Sequence, residues 1–142
     1  MGRKGMTLIE IMIVVALIAI MAAVAAAIYR PYIRKARRSD AFTALKACYT
    51  AQEMYKAENG QYATSFSDLS GCNSTSAGDH YTLSLVADTN GTWFSVIADP
   101  QGSQAGDYAF CINENGDEYY GSDGASGRCP GGNWTLTEWE KL

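Results

Sequence analysis

Near the start of the chain a single carboxylate, Glu10, stands at the edge of a long aliphatic stretch, four positions after Met6 and five after Gly5. The nineteen residues 11–29 carry no charge at all. A carboxylate on a helix in lipid costs roughly 2.5–3.5 kcal/mol, and acids so placed usually have a partner. No basic residue inside the run offers one. A cut after Gly5 does, because it frees an α-amino group on Met6, about one helical turn from Glu10. In a bundle of identical helices, the amine of one subunit meets the carboxylate of the next.

The other residues able to do chemistry are the four cysteines, Cys48, Cys72, Cys111 and Cys129, all beyond the apolar run. Their spacings contain no CxxC pair, which argues against zinc, so no metal site is expected. Two disulfides suit a small domain with a limited core and imply an oxidising compartment. Three pairings are open; Cys48–Cys72 with Cys111–Cys129 is favoured, since each closes the shorter available loop between neighbouring elements.

Catalytic arrangements are lacking. His80 is the only histidine and has no triad to join. Asn113, Asn115 and Asp117 alternate like the first ligands of a calcium loop, but Glu118 and Gly124 stand where that loop needs a glycine and a bidentate acid. A hairpin turn accounts for them better. Asn73, Asn90 and Asn133 begin glycosylation sequons, a pattern short enough to arise by chance. Tyr29, Tyr32, Phe42, Tyr49 and Tyr55 along the helix read as packing residues rather than a charge-transport stack. Neither an enzyme nor a cofactor is expected.

These residues need elements to position them. Residues 6–29 span about 36 Å as a helix, enough to cross a bilayer core of roughly 30 Å. A short basic leader, with Arg3 and Lys4, precedes them, and Arg30, Arg34, Lys35, Arg37 and Arg38 follow. That cluster suits snorkelling at a membrane face or pairing with acidic heads of neighbouring subunits. The charge asymmetry runs opposite to the positive-inside bias, so it does not set the orientation. From Ser39 on, fourteen acids face four bases, a formal charge of −10. So acidic a head argues against nucleic acid as a partner.

Helix is expected to resume after Pro31 and run to about Asn59, where Asn59-Gly60 forms a stop signal. Ala41, Leu45, Cys48 and Tyr55, with Phe42 and Tyr49 alongside, mark its buried face. Residues 61–79 read as a polar loop pegged by Tyr62, Phe66 and Leu69. Strand patterns follow at residues 81–86, 93–98, 108–112 and 118–120, with turns at Thr89-Asn90-Gly91 and Asn115-Gly116. The tail from Gly121 is rich in glycine. The expected fold is α+β: a long N-terminal helix, half transmembrane and half amphipathic, packed on an antiparallel sheet of about four strands.

Gly5-Met6-Thr7-Leu8-Ile9-Glu10, followed by the aliphatic run, resembles the GFTLIE signature of type IV pilins. The order of helix, loop, sheet and cysteine-bounded tail is similar to the head of the small-headed minor pilins, at lower specificity. The resemblance implies a leader (residues 1–5) removed by prepilin peptidase between Gly5 and Met6, and methylation of the new Met6 terminus. It implies a transmembrane and assembly segment (6–29) in which Glu10 guides assembly, and a soluble head (30–142). Met6 stands where the signature has phenylalanine. Ala19 and Ala27 stand where major pilins often carry a helix-melting glycine and proline, which moves any kink to Pro31.

The implied function is that of a structural subunit, major or minor, of a fibre of the kind used in adhesion and motility. The precursor is expected in the inner membrane and the mature chain in the extracellular pilus. Partners are other copies, other pilins, the peptidase and the membrane. The alternatives are a pseudopilin of a type II secretion system and a tip minor pilin that captures DNA.

Overall fold

A computed structural model describes residues 5–75, 77–122 and 124–142. Residues 1–4, which make up most of the expected leader, lie outside the described residues. The chain divides into two units, Met1–Ile33 and Arg34–Leu142.

In the first unit, the Thr7 carbonyl accepts the first helical bonds, from Glu10 N (3.1 Å) and Ile11 N (3.3 Å). Helix α1 then runs from Leu8 to Asn59. It is long and apolar enough to cross a membrane. Every large apolar side chain described from Met6 to Ile28 is exposed, between 44% for Ile11 and 82% for Leu8. Such a surface calls for lipid or other helices around it. The helix does not stop and resume at Pro31, as the sequence suggested; the proline lies inside it. Proline removes one backbone donor, and the strong helix formers on both sides keep the remaining ladder.

The second unit begins in α1 and packs the part of that helix from Arg34 on against one antiparallel sheet. The strands are β1 (Tyr81–Ala87), β2 (Phe94–Pro100), β3 (Ala109–Asn113), β4 (Glu118–Gly121) and β5 (Thr135–Leu136), paired in sequence order. The four expected strands are present, and the two-residue β5 adds a fifth, with Leu136 opposite Tyr119. The loop read over residues 61–79 contains two short 3-10 turns, Phe66–Asp68 and Gly78–His80.

Helix and sheet meet at a core that includes Ala41, Leu45, Cys48, Phe94, Val96, Phe110 and Trp139. Of the predicted helix face, Ala41, Leu45 and Cys48 are fully buried, whereas Tyr55 is only partly so. The buried residue at that turn is Gln52. Its amide exchanges two hydrogen bonds with Ala63, Nε2 to the carbonyl at 3.0 Å and Oε1 from the N–H at 2.9 Å. A primary amide thereby imitates a strand partner and ties down the chain leaving the helix.

The far face of the sheet is covered as well. Ile97, Cys111, Tyr119 and Cys129 form a second buried cluster, with Val86 and Trp134 against it. Ser95 Oγ, fully buried, accepts from Cys129 N at 3.1 Å. The tail therefore serves as a third layer. Its end plugs the first core: the Trp139 ring stacks 5.0 Å from Phe42 and its Nε1 donates to the Tyr119 carbonyl at 3.1 Å.

Gly91 shows how tightly the β1–β2 turn sits on the helix exit. Its φ is +60°, and an added Cβ would lie 2.5 Å from the Tyr62 carbonyl oxygen. Only glycine both turns there and lets its carbonyl accept from Tyr62 N at 2.9 Å.

Candidate functional site

The residues at the expected processing and assembly site lie at the very start of α1. Gly5, Met6 and Thr7 precede the helix, and Glu10 sits in its first turn, where a negative charge complements the helix dipole. Thr7 and Glu10 have the spacing of a capping box, in which the acid side chain would turn back to the cap. Among the described residues no such bond forms, and Glu10 is exposed without a side-chain partner. The carboxylate is therefore available to a group from outside the chain.

The basic cluster behind the apolar run splits into two parts. Arg30, Arg34 and Lys35 are exposed and make no ion pair among the described residues. Arg37 and Arg38 are engaged inside their own head, which corrects the reading of all five as one snorkelling or intersubunit group. Arg37 Nη1 donates to Ser103 Oγ at 2.7 Å. Arg38 forks onto Asp107, with Nη2–Oδ1 at 2.6 Å and Nε–Oδ2 at 2.9 Å, and donates to the Leu142 carbonyl at 3.1 Å. Asp107 also accepts from the Tyr81 hydroxyl at 3.3 Å and from Gln104 Nε2, which reaches the Arg34 carbonyl at 3.1 Å. Burial alone would raise the Asp107 carboxyl, but the Arg38 guanidinium and the Tyr108 N–H more than offset it and hold it below the usual range. Burial pushes the Tyr81 phenol well up, so that it stays a neutral donor.

Both disulfides brace the head. Cys48 on α1 is joined to Cys72 in the following loop, and Cys111 on β3 to Cys129 in the tail. They close loops of 24 and 18 residues, each worth about 3 kcal/mol in the chain-entropy account. The first fixes the loop to the helix, and the second fixes the tail to the outer face of the sheet.

The sites set aside on sequence grounds have structural explanations. Asn113 is fully buried, and its Oδ1 accepts from Asn115 N at 3.0 Å and Asp117 N at 2.9 Å. Its amide also donates to Asp117 Oδ2 at 3.1 Å. These side chains build the β3–β4 turn. His80 ends a 3-10 turn and its carbonyl accepts from Gln101 N. Among the described residues no cluster of three His, Cys, Asp or Glu could hold a metal ion. Phe42 packs on Phe110 and Trp139, and Tyr49 on Phe94, while Tyr29 and Tyr32 are exposed.

Sequence reasoning missed Gln52, Gln104, Asp107 and Trp139 as positioning residues. Only Trp139 carried a usable signal, a large aromatic isolated in a glycine-rich tail.

An exposed apolar helix with one acid near its start, running on into a disulfide-braced helix-on-sheet head, is the architecture of the type IV pilins. The chain belongs to that family: residues 27–114 match the family described as "Type IV minor pilin ComP, DNA uptake sequence receptor", and residues 1–26 match the "Prokaryotic N-terminal methylation motif". Among curated relatives, "Type IV major pilin protein PilA" of Myxococcus xanthus (strain DK1622) is 45% identical over 61 residues, 43% of this chain and 28% of that one. "Fimbrial protein" of Moraxella nonliquefaciens is 56% identical over 42 residues, 30% of this chain and 27% of the relative. The chain thus spans little more than a quarter of the length of these relatives. The Neisseria meningitidis non-core minor pilin PilV shares the fold, with a TM-score of 0.52 at 20% identity over 70% of this chain and 96% of that one.

Proposed function

We propose that this chain is a structural subunit of a type IV pilus, cut by prepilin peptidase between Gly5 and Met6 and methylated on Met6. The inner membrane holds the precursor. On assembly the apolar half of α1 leaves lipid for a bundle of like helices, and Glu10 takes the Met6 amine of a neighbour. The observation that carries this reading is the exposed apolar helix with one unpartnered acid four residues from a glycine–methionine junction. A lipid-facing carboxylate is unfavourable alone and much less so beside an amine.

Mass spectrometry of sheared surface fibres tests all the steps together. The fibre-borne chain is expected to begin at Met6 and to be one methyl group heavier than the bare sequence. Its abundance there distinguishes a major from a minor subunit. Recovery with residues 1–5 still attached would refute the processing step. Recovery only from the cell envelope would indicate a pseudopilin instead.

A second reading, DNA capture, is favoured by the description of the family matched over residues 27–114. One surface feature suits it: the Arg128 guanidinium, 44% exposed, lies 4.4 Å over the Trp93 ring. Charge opposes it. Arg128 is paired with Glu114 at 2.6 Å, Lys46 with Glu118 at 3.1 Å and Lys141 with Glu138 at 2.7 Å, and Lys56 donates to the Tyr62 hydroxyl. Arg128 and a lysine would have to leave these partners to reach phosphates, and two such contacts would give an affinity for duplex DNA that falls with salt at a log–log slope of about −2. Absence of gel retardation by the detergent-solubilised chain at low salt would remove this reading.

A further inference from the structure

Arg34, Lys35 and Asp40 are charged, exposed and without an ion-pair partner among the described residues, although they lie within seven positions of one another on α1. Helix geometry explains this. Lys35 and Asp40 are five residues apart and Arg34 and Asp40 six, so their side chains leave the helix roughly 120–140° apart. Intrahelical pairs form at spacings of three and four. The cations and the acid therefore face different sides of one helix and cannot satisfy each other within a subunit.

Asp40 stands at a groove. With Thr43, Ala44 and Ala47 it forms one wall, and Gly71 and Ala77 from the loop fixed by Cys48–Cys72 form the other. The volume is about 420 Å³, open to solvent. The walls are small side chains and glycine, with Asp40 the one charged residue lining it among the described residues. Asp79, also exposed, follows the groove residue Gly78 in the chain. Such a site suits a long cationic side chain, whose methylene stem lies along the apolar walls while its head reaches the acid.

We propose that this groove receives the Arg34–Lys35 pair of a second copy of this chain. The inference rests on the filament-subunit reading and adds to it a contact outside the apolar bundle. The two patches are distinct surfaces, so the contact is heterologous, with each copy giving cations to one neighbour and a groove to another. Heterologous contacts that do not close into a ring generate helical filaments. The offset agrees with the other pair: Met6 and Glu10 are four residues apart and Lys35 and Asp40 five.

The test uses the full chain, supplied in excess in piliated cells, and reads the ratio of chain in sheared fibres to chain in the membrane. Wild type sets the baseline; if it never enters fibres, the filament reading itself fails. Given that baseline, Asp40→Lys, and separately Arg34→Asp with Lys35→Asp, are each expected to lower the ratio about tenfold. Combining all three changes restores it to within about twofold of wild type. Electrophoresis without reductant checks that both disulfides still form. Ala47→Trp, which fills the groove without changing charge, is expected to lower the ratio with the charges intact. Wild-type assembly by Asp40→Lys or by Ala47→Trp, or failure of the combined swap to recover, overturns the proposal.

Discussion

A chain carrying Glu10→Val is expected to reach the membrane at the wild-type level and be cut after Gly5, yet be nearly absent from fibres. One side chain meets two environments. In lipid the carboxylate costs roughly 2.5–3.5 kcal/mol. In the proposed bundle it faces a neighbour's Met6 amine, and that pairing offsets most of the cost. Transfer from lipid to fibre is thus driven at position 10 by about 3 kcal/mol. Valine is comfortable in both environments and removes this drive. A loss of that size corresponds to about a hundredfold in the fibre-to-membrane ratio. Glu10→Gln, polar but uncharged, should fall between valine and wild type. Immunoblotting of sheared and membrane fractions measures the ratio, and wild-type fibre content in the valine variant would rule out the pairing. The test is specific because Glu10 has no side-chain partner among the described residues whose loss would unfold the chain.

How much of this was legible in the sequence depended on the range of the interaction. Local patterns read well. The aliphatic run, the Asn59-Gly60 stop, the alternating strands and the turns at Gly91 and Gly116 are set by neighbours within a few residues, and the elements fall where those patterns point. Long-range pairings were invisible. Arg38 looked like one of five equivalent cations because its partner, Asp107, lies 69 residues away. Gln52 breaks the apolar stripe, so periodicity leaves it out of the core, although its two bonds to Ala63 make it a buried latch. Val96 and Ala98 lie on one face of β2 and Ser95 and Ile97 on a second, and nothing nearby in the chain shows what covers that second face. Both faces are buried because a tail thirty residues further on folds over the second. Hydrophobic periodicity reports which face of an element is apolar, but it does not report what will later cover the other.

The head is expected to lose about 3 kcal/mol when Arg38 is replaced by methionine, and this destabilisation should fade in acid. Asp107 has a side chain only 5% exposed, and Arg38 supplies two of its bonds and its counter-charge. Methionine fills the arginine's volume but leaves a buried carboxylate held by Tyr81, Gln104 and the Tyr108 N–H, with no counter-charge. Breaking one partner out of such a pair typically costs 3–5 kcal/mol, and the partial exposure of Arg38 places this case at the lower end. For a head of this size the loss corresponds to a fall of roughly 10–15 °C in Tm. The pH dependence follows from the direction of the Asp107 shift. Its carboxyl is held below the usual range when folded, so the unfolded chain binds its proton more readily. The stabilisation is complete above the unfolded value of about 3.9 and is lost as the pH falls through the lower folded value. Wild type should therefore destabilise steeply below about pH 4, with a shallower acid limb in Arg38→Met and in Asp107→Asn, so that the curves converge. Tryptophan fluorescence of the detergent-solubilised chain follows the transition, since buried Trp139 lies in the same core as Tyr81. Parallel curves for wild type and Asp107→Asn down to the most acid point would show that the pair does not govern the head's stability. A converging pair would mean that the helix is held to the loop after β2 by an ion pair that only the folded head assembles.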